Sequence, residues 1–289
     1  MVRVGGAIVV FILALLVSAP FSYAQVAVHA PSSADVVAGH GAELSVDQIK
    51  TFLRNARVIR NRSTNKGVTA PKRLTLTDGV IEHDAVFQAI DERQMVARMG
   101  GGGRQDQTEL HFVDSYKYNI AAYEVAALLG LDHMMPVYVE RRWNGRTGSI
   151  SWFVPTLMDE SDRLKKNIQP PNPTEWNNQM YRMRVFSSLV RDTDRNLTNV
   201  LVTPQWKVMM IDFSRGFRLQ PELLHQKDLH KVDRALLVRL ESLTRESVQQ
   251  VTRDYLTRSE LDAMMLRRAA IVAHYRKLIA ELGEAKVLY

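Results

Sequence analysis

Three residues within residues 189–218, LVRDTDRNLTNVLVTPQWKVMMIDFSRGFR, carry side chains suited to metal-assisted chemistry: Asp194, Asn199 and Asp212. Carboxylate and amide oxygens are the ligands a hard cation such as Mg²⁺ prefers, so two of them held side by side make a seat for one. Between Asn199 and Asp212 lie two apolar runs, VLV and KVMMI, separated by TPQW, which has the composition of a turn. Antiparallel pairing of those runs would bring the residue before the first and the residue after the second to the same end of a hairpin. Asn199 and Asp212 are therefore expected to be neighbours. Asp194 precedes Asn199 by five residues, on the loop leaving the preceding helix, where it can face the same spot as a base or orienting carboxylate. Taken singly, Asp and Asn near turns are commonest as caps and turn formers. It is the three together, at this spacing, that point to a site.

The elements around these residues follow from the local patterns. Ser45 is expected to cap a helix through VDQIKTFLRNARV, with Val46, Ile49, Phe52 and Leu53 on one side. GVTAPKRLTLTDG and IEHDAVFQAID read as two strands joined at Asp78 and Gly79, a pair favoured in tight hairpins. RMGGGGRQDQ reads as a flexible connector, because four glycines without a following Lys and Ser or Thr do not make a phosphate loop. SYKYNIAAYEVAALLG is a helix started by Asp114 or Ser115 and stopped by Gly130, with Tyr116, Ile120, Tyr123, Ala127 and Leu128 as its buried stripe. Asn144 and Gly145 mark the turn of a second hairpin in PVYVERRWNGRTGSISWFV. After QPPNP the pattern becomes helical, with Trp176, Met180, Met183 and Val190 at helical spacing, and SELD at 259–262 reads as the capping box of a last helix ending near Gly283. The fold class is thus α+β, a sheet-rich lobe over 46–158 followed by a helical lobe over 159–289.

Composition sets the outer limits. The chain has 289 residues, of which 46% are hydrophobic and 24% charged, enough for one two-lobed domain and unlike a disordered chain. Arg3, the apolar run GAIVVFILALLV and the small residues of SAPFSYA describe a secretory signal peptide over 1–24, followed by a linker over 25–45. The apolar run is shorter than the roughly 20 residues a bilayer needs, so no stable membrane span is expected after cleavage. A chain with no cysteine cannot use disulfides, which suits a bacterial periplasmic or secreted protein. The sequon NLT at Asn196, inside the most chemically promising loop, suits a bacterium better than a eukaryotic secretory pathway. Net charge is +7, or +6 without Arg3, from dispersed Lys and Arg with no aromatic-interleaved stripe, so nucleic acid is not an expected partner.

Asp194-x-x-x-x-Asn199, followed after a hairpin by IDFS at 211–214, resembles the catalytic loop and metal site of the protein-kinase-like fold. DRNLTN is similar to the loop of phosphatidylinositol 3- and 4-kinases, a group near the HipA-type kinases and the Golgi casein kinases. The stretches YNIAAYEVAALLGLDHMMPVYVERRW and GSISWFV resemble a set of exported bacterial proteins distantly related to them. The resemblance implies a two-lobed kinase-like protein in which Asp194 orients or deprotonates an acceptor hydroxyl and Arg195 braces the loop or touches a phosphate. Asn199 and Asp212 would hold Mg²⁺ or Mn²⁺ on the phosphates of ATP or another nucleotide. Kinases also grip those phosphates with a Lys on the third strand paired to a Glu on the next helix. Here Gln88 and Asn119 stand in those places, and they are expected to hydrogen-bond to each other. Lys66 and Gly67, at the nucleotide-covering loop, and Lys72 are the remaining candidates for nucleotide contact, with Arg73 and Arg98 as further cations and Glu124 as a substitute acid.

The expected activity is phosphoryl transfer to a hydroxyl on a protein or small molecule. The alternative is a pseudokinase that binds a ligand or a protein and transfers nothing. Asp192-Thr193-Asp194 also matches the Asp-x-Asp of some glycosyltransferases, but the alternating strands and helices of such folds are absent from the pattern. His225 and His230 lack a zinc-binding pattern and read as surface residues.

Overall fold

A computed structural model describes residues 44–63, 71–99 and 107–289. The segments over 1–24 and 25–43, Lys66, Gly67 and the glycines at 100–103 lie outside the described residues. The first helix, α1 (Val46–Asn55), begins with the expected cap: Ser45 Oγ accepts from Gln48 N at 3.2 Å, and Gln48 Oε1 accepts from Ser45 N at 2.8 Å. It ends sooner than its pattern suggested. Val58 belongs to strand β1 (Arg57–Ser63) and pairs with Leu76, because the chain leaves the helix at Ala56 to supply the edge of a sheet.

That sheet has five antiparallel strands in the order β1-β2-β3-β7-β6. Strands β2 (Lys72–Thr77) and β3 (Glu82–Gln88) are joined at Asp78, whose Oδ1 accepts from Val80 N and Ile81 N, both at 2.9 Å. Strands β6 (Tyr138–Trp143) and β7 (Arg146–Trp152) meet at Asn144 and Gly145, both at positive φ, as a two-residue hairpin turn requires. Leu74, Leu76, Ala85, Phe87 and Ile150 are buried on one face of this sheet. Gly148 sits where β7 crosses the end of β3. A Cβ there would lie 2.3 Å from Gln88 O and 3.0 Å from Ala89 Cα, so the backbones could not approach as they do. Gly148→Ala is expected to cost about 1–3 kcal/mol through forced separation of these strands, readable as a lower urea midpoint at unchanged m-value.

Two further strands, β4 (Asp91–Met99) and β5 (Gln107–Ser115), pair with each other outside the main sheet, where the sequence suggested only a connector. Their charged, weakly alternating residues hide the strand pattern. Helix α2 (Tyr116–Leu128) follows at once, with Ser115 as N-cap; Ser115 Oγ accepts from Lys117 N at 3.3 Å and donates to Asp91 Oδ1 at 2.8 Å. The expected stripe is corrected here. Ala127 is exposed and Leu128 only half-buried, whereas Tyr118, Ala121, Ala122, Val125 and Ala126 are all buried. The helix is enclosed because β6 and β7 pack on it from one side and a C-terminal helix, α6 (Arg245–Thr252), from another.

After β7 the chain passes through a short strand β8 (Met158–Asp159) and a short helix α3 (Glu160–Lys165) into the long helix α4 (Pro173–Val190). Trp176, Met180, Met183 and Val190 are buried along α4, as their spacing suggested. The helical part continues with α5 (Arg234–Ser242), α6, α7 (Arg258–Leu282) and α8 (Glu284–Val287). The cap of α7 is Thr257 rather than Ser259: Thr257 N donates to Glu260 Oε2 at 2.7 Å, and Glu260 N to Thr257 Oγ1 at 3.3 Å. Glu260 also accepts from Tyr118 Oη at 2.5 Å, which ties α7 to α2. Among the described residues no helix is long and apolar enough to cross a membrane.

His83 stacks on Trp152 with ring centroids 3.5 Å apart, and its Nε2 lies 2.9 Å from Phe153 O. Burial pushes the His83 imidazole below its ordinary 6.5, and His133 is pushed down for the same reason. At these two histidines the folded chain binds fewer protons than the unfolded chain, so their contribution to stability rises with pH across this window. Melting temperature is expected to fall as pH drops below about 6.5, by roughly 2–4 °C per unit of pKa displacement. In His83→Gln the slope should be smaller.

Candidate active site

Helix α4 ends where Arg191 takes a left-handed conformation, φ 46°, and turns the chain back across the helix end. Asp192, 4% exposed, then organises the loop from inside: its Oδ1 accepts from Asp194 N at 3.0 Å and its Oδ2 pairs with Arg195 Nη2 at 2.5 Å. Burial raises the Asp192 carboxyl, and the Arg195 guanidinium opposes that rise. An Asp-x-Asp metal pair is therefore not formed, since Asp192 is committed to the loop's own backbone and to Arg195.

Arg195 is placed behind the loop. Its Nη1 donates to Asn199 O at 2.9 Å and to Ile211 O at 2.7 Å, and its guanidinium lies 4.1 Å from the centre of the Phe213 ring. Of the two roles expected of Arg195, these contacts supply the first: its Nη1 braces the loop by joining two backbone segments.

The hairpin between Asn199 and Asp212 forms as its sequence suggested. Strands β9 (Val200–Val202) and β10 (Val208–Met210) pair antiparallel with Met210 opposite Val200, and β8 completes a three-stranded sheet. Ile211 N donates to Asn199 O at 3.1 Å, so Asn199 and Asp212 lie at the same end. Asn199 Nδ2 donates to Asp194 O at 3.2 Å, which leaves Oδ1 as the amide's acceptor end. Further bonds lock the two segments together: Thr193 Oγ1 donates to Arg215 O at 3.1 Å and Phe217 N to Val190 O at 2.6 Å. Asp194, half-exposed, has Arg215 Nη1 3.8 Å from its Oδ2.

Asp212 is held in the left-handed region, φ 55°, a conformation that asparagine and aspartate tolerate better than most residues. The next residue, Phe213, is fully buried against Phe186 of α4. Its N–H donates to Asn119 Oδ1 at 2.7 Å, and Asn119 Nδ2 donates to Gln88 Oε1 at 2.7 Å. The expected Gln88–Asn119 bond is thus present and continues into the Asp212 loop. Strand β3, helix α2 and the loop are connected through one neutral, buried chain. The absence of both Lys and Glu leaves no unpaired charge in its place.

Register settles which cations share Gln88's face of the sheet. Lys72 pairs with Phe87 and so lies on the face that carries Phe87, Leu74 and Leu76, opposite to Gln88. Arg73, opposite Val86, is on Gln88's face. There its guanidinium pairs with Asp84 at 2.6 Å and stacks 3.7 Å above the centre of Phe153. Glu124 is bonded to Lys50 of α1 at 2.8 Å, a link between helices. His225 and His230 are exposed.

Three residues near Asp212 had no signal in the sequence. The buried phenol of Tyr138 lies against the Asp212 backbone and the Ser151 side chain; burial pushes it well above the ordinary tyrosine range, so it stays neutral. Ser214 donates to Asp212 Oδ1 at 2.9 Å. Asp114, at the end of β5, is 8% exposed, lies against the Ser214 hydroxyl, and has an Oδ1 with no hydrogen-bond partner among the described residues. Burial raises its carboxyl, Ser214 opposes the rise, and the Asp212 charge adds to it. Only its place in the fold could have revealed it.

The residues fit a hard divalent cation: the Asp212 carboxylate, the Asn199 amide oxygen and a buried unpartnered carboxylate oxygen are all oxygen donors. Among the described residues there is no group of three or more His, Cys, Asp or Glu that could hold a metal ion. The donor set matches a Mg²⁺-type site, which uses one or two carboxylates and takes its other oxygens from water and substrate phosphates.

A sheet-rich N-terminal part, a helical C-terminal part and this loop pair define a protein-kinase-like fold. The chain is similar in structure to hydra Fam20, solved with a sugar, with a TM-score of 0.62 at 14% identity over 89% of this chain and 97% of that one. It is also similar to the Golgi casein kinase solved with Mn and ADP bound, TM-score 0.58 at 14% identity, over 84% of this chain and 78% of that one. The Helicobacter pylori proinflammatory kinase CtkA matches over 80% of this chain and 98% of its own, with a TM-score of 0.50 and 8% identity. No protein-family model matches the sequence, and no curated protein matches it either.

Proposed function

We propose that this chain is an exported kinase-like protein that moves a phosphoryl group from a nucleotide to a hydroxyl acceptor with the help of Mg²⁺ or Mn²⁺. The observation that carries this reading is the shared end of the β9–β10 hairpin, where Asp194, Asn199 and Asp212 are held by bonds between their two loops. The Mn and ADP of the Golgi casein kinase structure support the pairing of a divalent cation with a nucleotide. Asn199 and Asp212 hold the cation, which neutralises charge on the transferred group. Asp194 orients the acceptor hydroxyl and takes its proton as the acceptor oxygen bonds to phosphorus and the bond to the leaving diphosphate breaks. Residues 1–24 direct export to the periplasm or beyond and are cleaved, and the lobes divide near 158.

The bonded Gln88–Asn119 pair favours a second reading, a pseudokinase that binds a nucleotide or protein without transfer. Incubation with γ-labelled ATP and Mn²⁺ separates the two: label moving to a hydroxyl acceptor or to water supports the kinase, and retention of label on ATP that does bind supports the pseudokinase.

A further inference from the structure

Two carboxylates converge on one hydroxyl beside the proposed metal seat. Ser214 Oγ donates to Asp212 Oδ1 at 2.9 Å and also lies against Asp114. A serine hydroxyl has a single proton, so it can satisfy only one of them. The other carboxylate is left short, and Asp114 Oδ1 is the atom without a partner, on a side chain 92% removed from solvent by its 8% exposure. A buried unsatisfied carboxylate oxygen is costly, and it is retained where something else completes it. The chain's backbone fixes the arrangement from both sides: Ser115 N donates to Ser214 O at 2.8 Å, which clamps the end of β5 to the loop carrying Asp212.

We infer that Asp114 is a further ligand of the divalent cation held at Asp212, which its Oδ1 would bind. This rests on the reading of Asp212 as a metal residue. The cation answers the shortage that Ser214 leaves, because one divalent charge is bonded by both carboxylates at once. It also gives the chain an added anchor for the metal in a site whose phosphate-gripping Lys is replaced by Gln88.

Mn²⁺ binding to the full chain, without nucleotide, tests the inference by the loss of the free-ion electron paramagnetic resonance signal. Asp114→Asn and Asp114→Ser are compared with wild type and with Asp212→Asn. Neither Asp114 variant buries a new charge, and each is expected to keep the wild-type circular dichroism spectrum. The expected result is Mn²⁺ affinity at least about tenfold weaker in both Asp114 variants, the scale seen when groups supporting a metal are lost. Wild-type affinity in both Asp114 variants, alongside loss of binding in Asp212→Asn, would overturn the inference and leave the metal reading of Asp212 standing. No Mn²⁺ bound by wild type would overturn both.

Discussion

Asp194→Asn is expected to lower phosphoryl transfer by about 10²–10⁴-fold, the range for removing a positioned general base, while binding of a nucleotide with Mn²⁺ stays within a few fold of wild type. The split follows from position. Asp194 is half-exposed, and among the described residues its carboxylate has only the distant Arg215 contact at 3.8 Å, so asparagine disturbs no buried network. The backbone bonds of the loop, Asp194 N to Asp192 and Asn199 Nδ2 to Asp194 O, do not depend on the Asp194 side chain. A single-turnover transfer assay beside a nucleotide titration reads both quantities. Equal losses of binding and of transfer would mean that Asp194 holds the loop or the cation and does not act on the acceptor.

The second large effect is on stability. Asn119→Leu is expected to cost about 2–6 kcal/mol, since it removes a hydrogen bond from each of two buried polar groups at about 1–3 kcal/mol each. Those groups are the Phe213 N–H and the Gln88 amide, each 2.7 Å from Asn119. Asn119→Asp keeps the acceptor for Phe213 N, and Gln88 can present its NH₂ to the carboxylate by turning its amide, so a smaller loss is expected there. Urea denaturation of the two variants measures the difference. A mild effect of Asn119→Leu would show that the chain from β3 to the Asp212 loop is not what joins the two parts at the site.

Local chemistry made much of the architecture readable before any coordinates. Ser45, Asp78 with Gly79, and Asn144 with Gly145 act within a few residues of themselves, so caps and hairpins follow from neighbours in the chain. The β9–β10 hairpin belongs to the same class, and it placed Asn199 beside Asp212. Elements whose sense depends on distant partners were harder to read. Strand β1 looks like the tail of a helix until Val58 finds Leu76, and β4 and β5 are too charged to advertise a strand. Lys72 and Arg73 are adjacent in the chain, yet only the pairing with Phe87 and Val86 decides which of them shares Gln88's face. Arg195 has the right type for a phosphate contact, and only the fold shows the two backbone carbonyls and the Asp192 carboxylate by which it braces the loop. Asp114 is 98 residues from Asp212 by number, 212 − 114, and nothing in its own stretch hints that the two share a serine.

Thermal unfolding of the full chain with ATP and Mn²⁺ or Mg²⁺, set beside Asp212→Ala, is the most direct test of the claim that these loops form a metal-dependent nucleotide site. A ligand that binds only the folded state raises the melting temperature according to its concentration over its dissociation constant. The expected result is a rise that needs both cation and nucleotide in wild type and disappears in Asp212→Ala. No rise with any nucleotide, or a rise that Asp212→Ala retains in full, would contradict it.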